Sequence, residues 1–305
     1  MISYILRRIV QAVICLFGIS IIVFLLSHLS GDPALLMAPP EAKPEDIQAL
    51  RVMLGLDKPL HVQFWIFISK AVQGDFGQSI RWGKPCLEVW LSRFPNTLLL
   101  GGAAMAFTFV VGIPTGILSA VKAGRWFDNF GKAFALAGQS LPVFWVGLML
   151  MLLFSVTLRW LPTSGIGGWQ HLIMPSFTLG WYFTASLTRM SRSAMLDVLD
   201  SEYIKMARIK GLPEYLVILK HGFRNAMIPI VTLAALNIVT LLNGTVITET
   251  VFNWPGIGRL IVDSIFARDY PMVQTCVLIA SGLFIFTNLI VDVLYAYIDP
   301  RIKYQ

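Results

Sequence analysis

The sequence predicts an all-helical integral membrane protein with six transmembrane helices, and three observations predict it. Hydrophobic residues make up 56% of the 305-residue chain and charged residues only 13%, at a mean hydropathy of +0.70. A soluble domain of this length could not bury so much apolar side chain. Six uncharged runs, 9–31, 94–121, 133–158, 160–188, 226–248 and 270–291, are each long enough to cross a hydrocarbon core of about 30 Å as a helix, which takes roughly 20 residues. The lysines and arginines between these runs gather on alternate connections.

The first run follows Arg7 and Arg8 and holds fourteen Leu, Ile, Val or Phe residues between positions 9 and 29. At about 0.3–0.6 kcal/mol each they favour insertion by roughly 4–8 kcal/mol, which Gln11 and His28 cannot overturn. The run exceeds the apolar core of a secretory signal and lacks an A-x-A-like cleavage site, so it is expected to be retained. The next 62 residues, 32–93, carry seven cations, seven acids and Trp65, Trp82 and Trp90; a segment of this length is expected to fold rather than merely connect. The second run places Gly112 and Gly116 four residues apart around Pro114, a close-approach pattern with a kink. Pro142 in the third run and Pro175 in the fourth suggest bends. The fourth run contains its own turn at 161–168, so its spanning part should begin near His171 and continue to about Met190. A hydrophilic break of 37 residues, 189–225, separates it from the fifth run. The chain thus divides into residues 1–93, a first span with a long external loop, and 94–305, a five-helix core carrying the loop 189–225.

Orientation follows from charge. With the N-terminus inside, six spans also put the C-terminus inside, and the inner connections carry fourteen cations against seven acids. The outer ones carry ten of each. The whole formal charge of +7 therefore lies on the cytoplasmic face beside lipid, and the basic balance calls for no nucleic acid.

The chain offers no catalytic residues and no metal site. Cys15, Cys86 and Cys276 are scattered and form no disulfide framework, no Cys/His cluster has ligand spacing, and the nearest approach to a phosphate-binding loop, Gly131-Lys132-Ala133, has the wrong spacing and no hydroxyl. Energy for uphill work must come from an ion gradient or from another subunit. An ion-coupled secondary transporter usually carries titratable groups within its spans, and here the candidates, Glu249, Asp292 and His171, are peripheral. A membrane scaffold without a pore is the other rival reading.

Within the break, Leu196, Leu199, Tyr203, Met206 and Ala207 recur near helical period, with Asp197, Asp200, Lys205 and Arg208 on the rest of the circumference. Arg208 and Lys210 in the last turn, Gly211 and Pro213 mark the end of a short amphipathic helix. A second helical stretch, 214–223, should lead into the fifth run. There Asn237, Thr240, Gly244 and Thr248 share a face, with Asn243 and Glu249 adjacent, and these are the candidates for lining a mildly polar pathway.

The run from Glu202 through Tyr203, Met206, Ala207 and Arg208 to Lys210-Gly211-Leu212, followed by Arg224-Asn225-Ala226-Met227-Ile228-Pro229, resembles the EAA loop of ABC importer permeases in the form used by the dipeptide/oligopeptide/nickel family. The resemblance extends to Gly31-Asp32-Pro33, Leu54-Gly55-Leu56-Asp57-Lys58-Pro59-Leu60, Gly74-Asp75-Phe76-Gly77, Asn253-Trp254-Pro255-Gly256, Arg268-Asp269-Tyr270-Pro271 and Asp299-Pro300-Arg301. Within that family the chain is most similar to the first of the two permeases, including those for dipeptides and glutathione. The resemblance implies a type I ABC importer transmembrane domain in the bacterial cytoplasmic (inner) membrane, with Glu202–Gly211 as the coupling helix. It also implies a homologous second permease, two cytoplasmic ATPases that bind ATP and Mg, no cofactor on this chain, and an extracytoplasmic substrate-binding protein. Trp65, Trp82, Asn253, Trp254, Arg268 and Asp269 would then help to dock the binding protein; read from its residues alone, the 32–93 segment could equally be a lid over the pore. Tyr203 and Ile204 depart from the small residues of the general consensus, and Pro229 lies farther from Gly211 than in the general pattern.

Overall fold

A computed structural model describes residues 2–29, 34–35 and 43–298. In chain order its helices are α1 (Ile2–Leu29), α2 (Pro44–Leu54), α3 (Leu60–Val72), α4 (Cys86–Phe107), α5 (Ile113–Val121), α6 (Trp126–Ser140), α7 (Val143–Leu150), α8 (Gln170–Leu199), α9 (Glu202–Ile209), α10 (Glu214–Leu216), α11 (Arg224–Val251), α12 (Ile257–Phe266) and α13 (Tyr270–Ile298). Widened π turns occupy Thr108–Gly112, Met151–Thr157 and Val217–Phe223. Among the described residues the only extended pairing is one antiparallel bridge, Gln78 with Pro85. The motifs singled out at 31–33 and 299–301 lie outside the described residues. The chain forms two compact units, Met1–Pro95 with Gly256–Gln305, and Asn96–Pro255.

Four helical stretches are long and apolar enough to cross a membrane: Leu6–Leu26, Cys86–Val121, Glu214–Ile238 and Tyr270–Val291. The expected third run, 133–158, is not one straight span. Its helices Trp126–Ser140 and Val143–Thr157 meet at 109°, and they count as a fifth span only if taken together. The break has a local cause: proline disfavours the α region in the residue before it, and Leu141, ahead of Pro142, is extended at φ −89° and ψ 133°. Pro175, by contrast, lies inside α8 without ending it. α8 begins where the turn at 161–168 predicted, yet it is not apolar enough to rank as a span by composition. It is the helix around which the second unit packs, and Thr178, Thr184, Thr188 and Ser191 along it are all buried.

In the first unit the loop motifs read directly as turn chemistry. Gly55 takes φ +72° after α2, and the Gln63 amide ties down the following turn by donating to the carbonyls of Leu56 at 3.1 Å and Lys58 at 2.7 Å. Gly74 and Gly77 adopt φ +81° and +80°, with the Asp75 carboxylate accepting the Gly77 N–H at 2.9 Å. The apolar helix α3 lies against α1, with the Phe64 ring edge-on to Phe17 at 5.7 Å and to Phe24 at 5.4 Å. The core of this unit gathers Cys86, Val89 and Trp90 with Ile257, Leu260, Met272 and Cys276.

The second unit is held by close backbone approach. Ala104, Thr108, Gly112 and Gly116 recur every fourth residue along α4 and α5 and meet Gly180, Thr184, Thr188 and Ser191 of α8. A Cβ on Gly180 would lie 2.8 Å from the Ala104 carbonyl oxygen, one on Gly112 3.2 Å from that of Thr184, and one on Gly116 2.6 Å from that of Thr188. Side chains larger than hydrogen at these points would force the helices apart, the close packing by which helices associate in lipid. Between the glycines, Thr108 donates to the Gly180 carbonyl at 3.1 Å and Thr188 to the Gly112 carbonyl at 3.2 Å. Each such interhelical bond contributes about 0.6 kcal/mol.

Candidate functional site

The loop after α8 is built as a short stiff lever. α8 stops at Leu199, and Ser201 is extended at φ −71° and ψ 150°, so α9 starts afresh at Glu202. α9 ends in a complete Schellman motif: Gly211, at φ +78°, bonds through its N–H to the Arg208 carbonyl, and the Leu212 N–H reaches that of Ala207 at 3.4 Å. On its inner face Ile204 and Ala207 are buried with Val217 against Val198 and Leu199. This corrects the stripe read from periodicity: Ile204, at 0% exposure, is the anchor, whereas Tyr203 and Met206 are 45% and 53% exposed. The signal was available in the 204/207 spacing, but the break at 200–201 shifts the phase of any stripe begun at Leu196.

Charged side chains brace the same helix. Lys205 pairs with Glu202 at 2.9 Å, and Arg208 grips Glu214 with two hydrogen bonds of 2.8 and 3.3 Å, linking α9 to α10 across the turn. The Glu202 carboxylate pushes the Lys205 ammonium up from its usual range, and Glu214 does the same for the Arg208 guanidinium. The Asn225 amide donates to the Tyr203 hydroxyl at 2.9 Å, joining α9 to the start of α11. Lys210 closes the helix, and Tyr203, Met206 and Ile209 remain as an outward apolar patch, Ile209 at 78% exposure.

The polar residues of α11 divide between two faces. Asn237 and Thr248 are buried, and neither the Asn237 amide nitrogen nor the Thr248 hydroxyl meets a hydrogen-bond partner among the described residues. Glu249 is fully buried and accepts from the Thr97 hydroxyl at 2.8 Å. Thr240 is exposed, its hydroxyl turned back onto the Leu236 carbonyl at 2.9 Å. The backbone at Asn243 and Gly244 is helical, and the position-243 side chain lies outside the described ones.

The residues assigned to docking also differ in kind. Asn253 closes α11 with a Schellman motif of its own at φ +52°, and Arg268 closes α12 with another at φ +54°. Both side chains are exposed. Trp254 is 1% exposed, its indole N–H donating to the Asn96 carbonyl at 2.9 Å while the Asn96 amide donates to the Pro255 carbonyl. Asp269 is buried and accepts from the Ser79 hydroxyl, the Arg81 N–H at 3.1 Å and the Met272 N–H at 3.3 Å. Trp254 and Asp269 thus shape loops from beneath. Trp82 packs its ring on the first unit's core, under the Arg81 guanidinium at 5.1 Å. Trp65 is 60% exposed but stands 6.3 Å from Phe17, beside the middle of the first span. Among the described residues no three His, Cys, Asp or Glu side chains gather as a metal site.

Long apolar helices interrupted by a short amphipathic one make a helical membrane component, and the chain belongs to the family of binding-protein-dependent transport system inner membrane components. That family's model matches residues 112–304, and the model of its N-terminal region matches residues 1–101. The chain is 47% identical over 306 residues to the glutathione transport system permease protein GsiC of Escherichia coli strain K12, covering 100% of both. It is 48% identical to the protein of the same name from Salmonella typhimurium strain LT2, again covering 100% of both. Among solved structures, the inward-facing MetNI methionine ABC transporter superimposes with a TM-score of 0.58 at 17% identity, over 70% of this chain and 97% of that one. A second MetNI crystal form gives 0.57 over 69% and 96%.

Proposed function

We propose that this chain is one of two homologous permease subunits of an ATP-driven importer for glutathione-like or other small peptides. In this reading six spans place both termini in the cytoplasm, with α8 and the bent pair α6–α7 completing the spans that composition alone leaves uncounted. Residues 1–93 supply the first span and external loop, and 94–305 the core. Two cytoplasmic ATPases, which would bind ATP and Mg, seat α9 through Glu202, Tyr203, Met206, Arg208, Lys210 and Gly211, while Ala207, first read as part of that surface, holds the helix from behind. The observation that carries the reading is the exposed Tyr203–Met206–Ile209 patch on a helix fixed from behind by Ile204 and Ala207. A rigid helix with an apolar outer face can transmit a push from a partner; a floppy or wholly polar loop cannot.

Movement of α9 reaches α8 at one end and, through the Tyr203–Asn225 bond, α11 at the other. α11 would then open and close the pathway. Asn237 brings a buried amide with unused hydrogen-bonding capacity, Thr240 an exposed shoulder, and Asn243 and Gly244 the rest of the polar lining; Thr248 and Glu249, also first read as lining, are buried within the unit and support the helix instead. A substrate-binding protein would dock on Trp82 and Arg268 in one unit, shaped by Asp269, and on Asn253 in the other, shaped by Trp254; Trp65, at span depth, contributes least.

The test is native mass spectrometry of the tagged chain drawn from its host in mild detergent. A complex with a homologous permease and two ATPase subunits is expected, and Ala207→Asp with Gly211→Asp should strip the ATPases while leaving the permease pair. A lone chain after gentle cross-linking would refute the reading.

A further inference from the structure

The least ordinary side chain outside the coupling helix is Asp128. It stands in the first turn of α6, on the connection expected to face the cytoplasm, and it is 0% exposed. Four donors from three segments converge on its carboxylate: the Gly124 N–H at 2.9 Å, Lys132 Nζ at 2.8 Å, and Arg192 through Nε at 2.6 Å and Nη2 at 3.0 Å. Gly124 belongs to the turn between α5 and α6, which it makes possible at φ +75°. Arg192 belongs to α8, the residue after Ser191, where Gly116 makes its contact, and about two turns before that helix ends at Leu199.

The remaining contacts between this hairpin and α8 are the close approaches at Gly116 and Gly138, the apolar cluster that joins Ile113, Ile117 and Ala120 with Leu187, Ala194 and Met195, and the Phe134 ring 5.6 Å from Trp181. Apolar contact of this kind resists separation but is non-directional. A two-pronged guanidinium–carboxylate pair fixes distance and orientation together, and buried ion pairs are better suited to specifying an arrangement than to adding stability. We propose that the Asp128–Arg192 clamp locks the α5–α6 hairpin to α8, so that hairpin and coupling helix move as one body when the ATPases act. Asp128 and Arg192 are positioning residues in this scheme: they touch neither solute nor nucleotide. The inference rests on the coupling role proposed for α9.

The test is a pulsed electron-electron distance measurement on the intact complex in nanodiscs, with nitroxides at Lys122 in the hairpin and Asp200 at the end of α8, in a Cys15→Ala background. The remaining cysteines, Cys86 and Cys276, are buried. With the clamp intact, the distance peak should be the same in the nucleotide-free and vanadate-trapped complexes. In Asp128→Asn, trapping should shift the peak or split it in two. A peak that already moves on trapping in the parent, or one that stays put in Asp128→Asn, overturns the proposal. If Asp128→Asn is missing from the membrane, Arg192→Lys decides by the same criterion, because it keeps the charge and removes the two-pronged contact. The coupling role is checked separately: ATPase subunits that do not co-purify with the parent chain, or that persist on Ala207→Asp, refute that role and not the clamp.

Discussion

Three glycines in one continuous stretch of helix make a graded test of the packing between α4–α5 and α8. A Cβ at Gly102 would meet nothing within 4 Å, one at Gly112 would lie 3.2 Å from the Thr184 carbonyl oxygen, and one at Gly116 would lie 2.5 Å from Ser191 Cβ and 2.6 Å from the Thr188 oxygen. Replacing a helical glycine by alanine favours the folded chain by about 0.5–1 kcal/mol when nothing is in the way. Carbons pack at about 3.5–4.0 Å, so Gly116→Ala requires the two helices to part by about 1 Å, an overpacking worth about 1–3 kcal/mol. The same separation stretches the 3.2 Å Thr188–Gly112 bond, removing up to about 0.6 kcal/mol more. Gly102→Ala should therefore stabilise, Gly112→Ala come out near zero, and Gly116→Ala destabilise by about 1–3 kcal/mol. Equilibrium unfolding of the purified chain in mixed micelles with increasing dodecyl sulfate measures the order. Gly116→Ala as stable as Gly102→Ala would mean that α5 and α8 do not approach this closely.

Gly211→Ala forces a β-carbon into the left-handed region at about 1–2 kcal/mol, whereas Gly211→Asn suits it better; the amount of ATPase retained on a tagged chain should follow glycine, asparagine, alanine. Asp269→Ala leaves the Ser79 hydroxyl and the Arg81 N–H without their buried acceptor, a loss of about 1–3 kcal/mol, and should weaken capture of the binding protein in a pull-down without changing basal ATP hydrolysis. Arg208→Met removes an exposed pair worth at most about 1 kcal/mol, so thermal stability should hardly move. Asn237→Ala with Thr240→Ala should alter uptake of the solute that the complex carries while the complex still assembles; unchanged uptake would remove both from the pathway.

Where local chemistry rules, the sequence was readable. Gly211, read as the end of a helix, sits at positive φ, and the start of α8 fell where the preceding turn placed it. The bend expected at Pro142 is there, at 109°, although apolar continuity alone would not show it, because hydropathy cannot register the steric effect of a proline on its predecessor. At α8 the uncharged run marked the helix although its mean hydropathy is too low to rank as a span, since a helix sheathed by other helices can bury Thr178, Thr184, Thr188 and Ser191 and need not match lipid. Ile204 was hidden by a phase shift at a two-residue break. Asp128 had no local signal: an acid in a charged connection looks solvated, and its burial depends on Arg192, 64 positions away.

Each of the widened turns at Thr108–Gly112, Met151–Thr157 and Val217–Phe223 accommodates surplus residues in its stretch of helix. Such a turn is slack in the numbering of the chain. Removing one residue from the last of them would let it close to an ordinary α turn and leave α11 facing as before. The same deletion at Leu233 would rotate everything downstream by about 100°, presenting Trp254 and its loop on the wrong side of the helix. Tolerance to single-residue deletion should accordingly be concentrated at these three places, which are also where lineages could differ in length by one residue without re-aiming a helix.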